Sequence, residues 1–461
     1  MSKTPRHSAT RRELLAVIER LERRIAELEA QVARLRKDSS TSSKPPSSDI
    51  VKPPKPPAPK GMKQCRKGAQ PGHPRHERRI FSPEEIDEVR EYTLDACPDC
   101  RGHLKRSSAS PRIVQQAELP ATLFTVTEHR ALAHWCARCR KVHYAPLPAC
   151  VRHGGLAGPR LTAFVSYLKG ACHCSYGTIQ KVLEDIVGLP VSTGYLTKLI
   201  QKTSAALRAP YEELVARVPH EAVLNVDETG HKENGKGMWT WCFRAQDFTL
   251  FRIDTSRGSE VLLETLGADF DGLLGCDYFS AYRKFMQNSR AKVQFCLAHL
   301  IRDVRFLSES PDKVTANYGQ RVLDGIQRMF HLIHRRDRMR PARYRSCLEQ
   351  ERSRLLALVK RAPPRTEAHN LAQRFRTHGS EYFTFISKPC IEPTNNVAEQ
   401  AIRYCVIDRR VTQGTRGQAG RHWCERMWTM AATCAQRQRS LYTFLHRALD
   451  AHFNAQPATA C

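Results

Sequence analysis

The stretch that most constrains this chain runs from Ala222 to Leu307, where short apolar strands and helical runs follow one fixed order. AVLNVD is a strand ending at Asp227. MWTWCFRAQ and FTLFRIDT are two more, with a turn at Gln246-Asp247. SRGSEVLLETLGADF has helical spacing, and GLLGCD is a fourth strand ending at Asp277. VQF suggests a short fifth strand before the helical run CLAHLIRDVRFL. An α/β domain with an aspartate closing its first and fourth strands is predicted for residues 220–455.

Three strands, a helix and a fourth strand make up the ribonuclease-H-like order, in which the first and fourth strands are neighbours and their carboxylates converge. Two such carboxylates repel, and cannot both stay ionised cheaply without a cation. Mg²⁺ (or Mn²⁺) takes oxygen ligands, and a pair of these ions in one site activates an attacking oxygen and stabilises a leaving one. A third carboxylate completes such a site. The candidate is Glu399 in EPTNNVAEQAIRYCVI, which reads as a helix after Pro393 with Thr394 as its cap. Each acid alone is ordinary; the joint placement carries the assignment of Asp227, Asp277 and Glu399 as catalytic metal ligands.

The span from Asp277 to Glu399 exceeds what the core order needs, so residues 308–390 read as a basic helical insertion, either a DNA clamp or a brace for the core. Cys296 and His299 form a CxxH at a helix start. Two ligands are too few for zinc, so His299 reads as a group supporting the acids or positioning DNA. Asn395 and Asn396 either orient Glu399 or contact a phosphate. In GTRGQAGR, backbone amides with Arg416 and Arg421 suit phosphates, and an ordinary loop is the alternative. Trp423 to Phe453 reads as an amphipathic core helix.

The N-terminal half is modular. Leu14, Ile18, Leu21, Ile25, Leu28, Val32 and Leu35 alternate four and three apart, so residues 11–37 suggest a self-associating coiled coil, against a single amphipathic helix as the alternative. Residues 38–79 are Ser-, Pro- and Lys-rich and then basic. They read as an extended, disordered linker whose GMKQCRKGAQPGHPRHERR end either touches phosphates or is a solvated tail. Within 80–150, Cys97 and Cys100, then Cys136 and Cys139, form two CxxC pairs around strand-like runs such as ATLFTVTEHRALAHW. That spacing predicts a zinc ribbon holding one structural Zn²⁺. Residues 155–210 look helical. The GLPVS break, with Ser192 or Thr193 as cap, suggests a helix-turn-helix whose second helix presents Thr193, Tyr195, Lys198 and Gln201 to a major groove; plain helical packing is the alternative.

Composition supports this multidomain reading. Lys and Arg number 74 against 46 Asp and Glu, a formal charge of +28 that points to a polyanion. No apolar run approaches the roughly 20 residues of a membrane span. MSKTPRHSATRREL lacks the apolar core of a signal peptide, so a cytoplasmic setting is expected and the 17 cysteines read as thiols or metal ligands rather than disulfides.

The motifs NVDETG, GCDYFSAYRKF, CLAHLIRD and EPTNNVAEQAIR followed by RRVTQGTRGQAGR resemble the insertion-sequence-66 family of bacterial DDE transposases. GAQPGHP, the paired CxxC and the leading heptads resemble it too. The resemblance implies Asp227, Asp277 and Glu399 as the catalytic triad. It also implies double-stranded DNA as partner, both the element's terminal inverted repeats and the target, with a homo-oligomeric assembly and accessory proteins of the same element. Tyr278, Thr394 and Gln400 stand where that family often has Gly, Asp and Arg. Two rival functions remain at this level. One is a non-catalytic DNA-binding regulator or decayed copy; the other is a nuclease that cuts without joining.

Overall fold

The structure, a computed structural model, describes residues 11–35, 80–105, 107–120 and 122–457. The linker of 38–79 with its basic end, and the last residues of the 11–37 heptad run, lie outside the described residues. The chain divides into two compact units, Pro54–Thr127 and the union of Met1–Pro53 with Glu128–Cys461.

The described part of the smaller unit is built from turns. Ser82 opens a short 3-10 turn over Pro83–Glu85, and the Glu85 carboxylate accepts the Ser82 N–H at 3.0 Å, a reciprocal cap. Gln115 pairs with both backbone groups of Phe81. Among the described residues of the strand-like run ATLFTVTEHRALAHW, only Ala133–Trp135 enter a strand. Ala133–Cys136 becomes a strand by pairing with Lys141–Tyr144, whereas the described residues before it, with Val126 83% and Leu132 64% exposed, join no ladder and bury no face that would hold them extended.

In the larger unit, α1 (Arg11–Leu35) leaves Leu14, Ile18, Leu21, Ile25, Leu28 and Val32 exposed. β1 (Ala133–Cys136) and β2 (Lys141–Tyr144) form a hairpin. Helices α2 (Ala149–Gly154), α3 (Pro159–Gly170), α4 (Tyr176–Val182), α5 (Thr193–Ala206) and α6 (Arg208–Arg217) follow. Gly188 takes φ 77° to end the turns after α4, and Ser192, rather than Thr193, caps α5 by accepting the Tyr195 N–H. Leu196, Leu199, Ile200 and Thr203 form the buried face of α5, where Thr203 meets Ser166 of α3.

A five-stranded sheet comprises β3 (Val223–Glu233), β4 (Lys236–Arg244), β5 (Thr249–Asp254), β6 (Leu273–Cys276) and β7 (Lys292–Phe295), in the order β5-β4-β3-β6-β7. β4 is antiparallel to both neighbours; β6 and β7 run parallel to β3. α7 (Ser259–Leu266) makes the crossover to β6, and α8 (Ser280–Gln287) joins β6 to β7. Three helices follow β7 and α9 (Leu297–Ser308), namely α10 (Lys313–Ile333), α11 (Pro341–Val359) and α12 (Thr366–His378), and then a short α13 (Thr384–Ser387). Gln294 of β7 donates to the Tyr382 carbonyl and accepts the Phe385 N–H, so this helical region braces the sheet.

α14 (Asn396–Thr412) and α15 (Gln418–Gln436) return to the sheet. Edge strand β5 would expose free N–H groups; Thr433, Thr429 and Glu425, one turn apart on α15, accept those of Thr249, Phe251 and Ile253. The expected single helix from Trp423 to Phe453 is instead α15 and α16 (Leu441–Phe453), parted by Gln438 at φ 53° and restarted by Ser440 as cap. α16 packs on α3 and α5, so the helices before the sheet and those after it share one core.

Candidate active site

The register of the sheet brings the acids together. Asn225 pairs with Gly275 across the parallel β3–β6 ladder, and Asp227 and Asp277 each lie two residues further on. Two residues is one strand period, so both side chains keep the face that Asn225 presents. That face is covered by α14, which carries Glu399 in its first turn. All three sequence-predicted acids therefore share one site.

Asn395 locks the helix in place. Its Nδ2 donates to the Val226 carbonyl at 2.8 Å, its Oδ1 accepts from Asn225 Nδ2 at 3.0 Å, and its N–H donates to Cys296 Sγ at 3.2 Å. It is 1% exposed, which leaves the orienting role and removes the phosphate contact; Asn396 is exposed. Asn395 also occupies the cap position expected for Thr394, with its side chain spent on the strand rather than on the helix. Leu297 N–H donates to the Pro393 carbonyl, and Cys296 N–H to that of Cys276, so the end of β6 and the starts of α9 and α14 meet in one knot.

Electrostatics mark the cluster. Burial, then Glu228, Asp277 and Glu399, hold the Asp227 carboxyl well above the usual carboxylate range. Burial first, with Glu228 beside it, pushes Asp277 up to about 7. Phe279 N–H donates to Asp277 Oδ1 at 2.8 Å. Burial and like charge together disfavour ionising both aspartates at once.

Sequence reasoning missed the other side of β3. Glu228 points the opposite way from Asp227 and is buried. Arg257 donates to its Oε1 at 2.7 and 2.9 Å, and the Tyr282 hydroxyl hydrogen-bonds its Oε2. The Arg257 guanidinium lies between Trp239 and Phe279, 4.5 and 3.9 Å from their ring centres. The NVDET run held a hint of this, since consecutive acids on a strand must face opposite ways; nothing local pointed to Arg257.

His299, 6% exposed, is too deep to position DNA by contact; its Nδ1 faces Glu399 Oε1 at 3.5 Å. Burial lowers its pKa, keeping the imidazole neutral. Arg302 Nη2 stands 3.5 Å from Glu399 Oε2. Tyr278 lies under the Arg374 guanidinium at 3.9 Å and beside Phe295, so a ring fills the space next to the second aspartate.

Of the expected DNA-reading residues, Thr193, Lys198 and Gln201 are exposed along α5. Tyr195 is not available for bases: it is half-buried, and its hydroxyl accepts the Ala157 N–H at 2.9 Å. Arg416 is exposed, whereas Arg421 is half-buried with Nε 3.9 Å from Glu233. The loop before them docks on β3. Thr415 N–H donates to the Lys232 carbonyl, and that amide is therefore spent. Gly414, at φ 89°, has room for no side chain, because a Cβ would lie 2.2 Å from that carbonyl.

The CxxC pairs are two local turns, Cys97–Cys100 in the smaller unit and Cys136–Cys139 in the larger. Cys97 accepts the Arg101 N–H at its carbonyl, and Cys139 N–H points at Cys136 Sγ at 3.5 Å. Backbone N–H groups within each turn lower the pKa of the leading thiol, that of Cys97 through Cys100 and that of Cys136 through Cys139. Such turns suit zinc-bound thiolates.

No helix is long and apolar enough to cross a membrane, among the described residues. Residues 154–422 match the family model described as Transposase IS66 family, and residues 3–79 match a family of unknown function. No curated protein matches the chain.

Proposed function

This chain belongs to the IS66 family of transposases, and on that premise we propose that it cuts and joins DNA at Asp227, Asp277 and Glu399. The observation that carries the reading is the register: Asp227 within β3 and Asp277 just past β6, each one period past a ladder pair, with Glu399 on the helix that covers them. The sheet order supports a ribonuclease-H-like reading of this domain. The raised pKa values of Asp227 and Asp277 fit ligands of Mg²⁺ or Mn²⁺. Asp227, Asp277 and Glu399 would hold such ions, which would supply activation of the attacking oxygen and stabilisation of the leaving one. The protein's own contribution is orientation. Asn395 ties the Glu399 helix to β3, Arg257 neutralises Glu228 behind the cluster, and Tyr278 and Phe295 exclude water beside Asp277.

Around this centre, Cys97, Cys100, Cys136 and Cys139 are assigned as ligands of one structural zinc. Exposed Thr193, Lys198, Gln201 and Arg416 are assigned to DNA, and the bare apolar seam of α1 to pairing with a second copy. The decisive experiment is strand transfer on the element's own ends with Mg²⁺ or Mn²⁺. Asp227→Asn, Asp277→Asn and Glu399→Gln are expected to drop cleavage and joining to background while leaving DNA binding nearly intact. Near-wild-type transfer by any of the three removes that residue from the triad, and cleavage without joining by the parent chain favours a nuclease.

A further inference from the structure

Beside the carboxylate cluster, Cys296, His299 and Glu399 bring a sulfur, an imidazole nitrogen and a carboxylate oxygen within 4.8 Å of one another. The CxxH pair alone offers two ligands; the fold supplies the third from a helix about a hundred residues later. The cluster is deep, with Cys296 2% and His299 6% exposed. His299 Nδ1 and Glu399 Oε1 face each other at 3.5 Å without hydrogen-bond alignment, and both are buried without another partner among the described residues. Two unsatisfied buried polar atoms are costly and call for an explanation. A cation between them and the sulfur satisfies both.

We propose that Cys296, His299 and Glu399 form a binding site for a thiophilic divalent cation, Zn²⁺ above all, and that an ion held there withdraws Glu399 from the catalytic cluster. The donor set selects the class of ion. Mg²⁺ takes oxygen and keeps its waters, whereas Zn²⁺ binds sulfur, nitrogen and one carboxylate readily. The sulfur is prepared for charge: as the residue before α9 it receives N–H groups from Asn395, His299 and Ala298. Burial nonetheless pushes the thiol up to about 11, so the ion must displace its proton to solvent on binding. The neutral imidazole is already in its ligating form. A dication drawn to Glu399 Oε1 by Cys296 and His299 neutralises that carboxylate and weakens its hold on Mg²⁺, so zinc capture and Mg²⁺-dependent cleavage compete. This competition rests on the catalytic reading of Glu399; the binding site itself does not.

The test separates the two. Zinc content of the full-length chain is measured first, and the chain is then titrated with Co²⁺, whose thiolate charge-transfer band reports cysteine ligation. The expected result is one saturable ion, as resident zinc or as added cobalt, that is lost in Cys296→Ser and in His299→Ala and kept in the buried control Cys405→Ser. Serine preserves an acceptor for the Asn395 N–H, and circular dichroism verifies that each variant is folded. Equal metal content and an undiminished cobalt band in folded Cys296→Ser overturn the site, as does a wild-type chain with no such ion. In the second arm, cleavage in Mg²⁺ is followed as Zn²⁺ rises. Cys296→Ser is expected to need roughly tenfold more zinc for the same inhibition. Identical inhibition of both proteins overturns the competition. A chain that holds the ion but cleaves nothing in Mg²⁺ supports the site and counts against the catalytic reading alone.

Discussion

The CxxC turns and the carboxylate cluster bind chemistry in opposite ways. Each CxxC turn is made within a few residues, lies near the surface, and holds its leading thiol below the ordinary range through its own backbone N–H groups. The cluster draws on β3, the end of β6, α9 and α14, and holds its two aspartates above theirs. A local turn carries its function wherever it is placed. A cluster assembled across the sheet has function only while the whole domain holds its register. The two therefore respond differently to the same insult.

The largest effect is expected from the local turns. Structural zinc contributes directly to folding, so Cys97→Ser and Cys136→Ser should each release zinc, read with a chromogenic chelator, and loosen their own surroundings. The sheet domain should unfold at the same denaturant concentration as before, because its core does not include those thiols. A matching loss of sheet-domain stability in Cys97→Ser would erase the contrast drawn above.

Next in size is Asn395→Ala. It deprives the Val226 carbonyl and the Asn225 amide of buried partners and frees the start of α14. Unsatisfied buried groups cost about 1–3 kcal/mol each, so a loss of roughly 2–6 kcal/mol is expected in urea unfolding, with cleavage falling more than DNA binding. An unchanged midpoint and unchanged cleavage would mean that Glu399 is positioned without this knot.

These two regions also differ in how far they could be read from the chain alone. The CxxC pairs, the Gly188 stop and the Ser192 cap are visible because their signals span only a few residues, whereas the strand expected to end at Asp227 runs on to Glu233 because its ladder with β4 continues through that stretch. Neighbouring β3 and β6 followed from the strand order. What was hidden needed long-range contacts. Arg257 reaches Glu228 only after the turn before α7, and Cys296 and His299 gain Glu399 only because Asn395 ties two distant helix starts together. Apolar alternation misled at residues 122–132, where nothing buries one face. Helical spacing carried the reading through Gln438, whose left-handed conformation no periodicity reveals.

Asp277 tests the electrostatic half of the comparison. Its folded pKa, about 7, lies above the ordinary unfolded value near 3.9. The folded state thus binds the extra proton, and this group's stabilising contribution is full below about pH 4 and is lost as pH rises through 7. Without divalent cations, Asp277→Asn should gain stability over the parent chain, little near pH 4 and about 1–4 kcal/mol above pH 7. Saturating Mg²⁺ should shrink the gain by stabilising only the parent. A gain that is the same at both ends of the pH range would show that Asp277 ionises normally.

The smallest effect is expected at Tyr195, on a helix whose exposed and buried faces part local surface from core. By position on α5 it belongs with Lys198 and Gln201 as a reader of bases, but its hydroxyl is engaged by the Ala157 N–H and its ring is half-buried. Tyr195→Phe removes one hydrogen bond and leaves the Ala157 N–H unmatched. A loss of roughly 0.5–1.5 kcal/mol follows, with no change in the ratio of affinities for the element's ends and for random duplex. Gln201→Ala should do the reverse: its side chain is exposed, so stability stays within about 0.5 kcal/mol while preference for the ends weakens. Binding measured on both duplexes at several salt concentrations separates base reading from phosphate contact, since phosphate contacts alone set the salt slope. If Tyr195→Phe altered end preference as much as Gln201→Ala, the buried hydroxyl would have to leave Ala157 when DNA binds, and α5 would be a helix that moves on its core rather than one held by it.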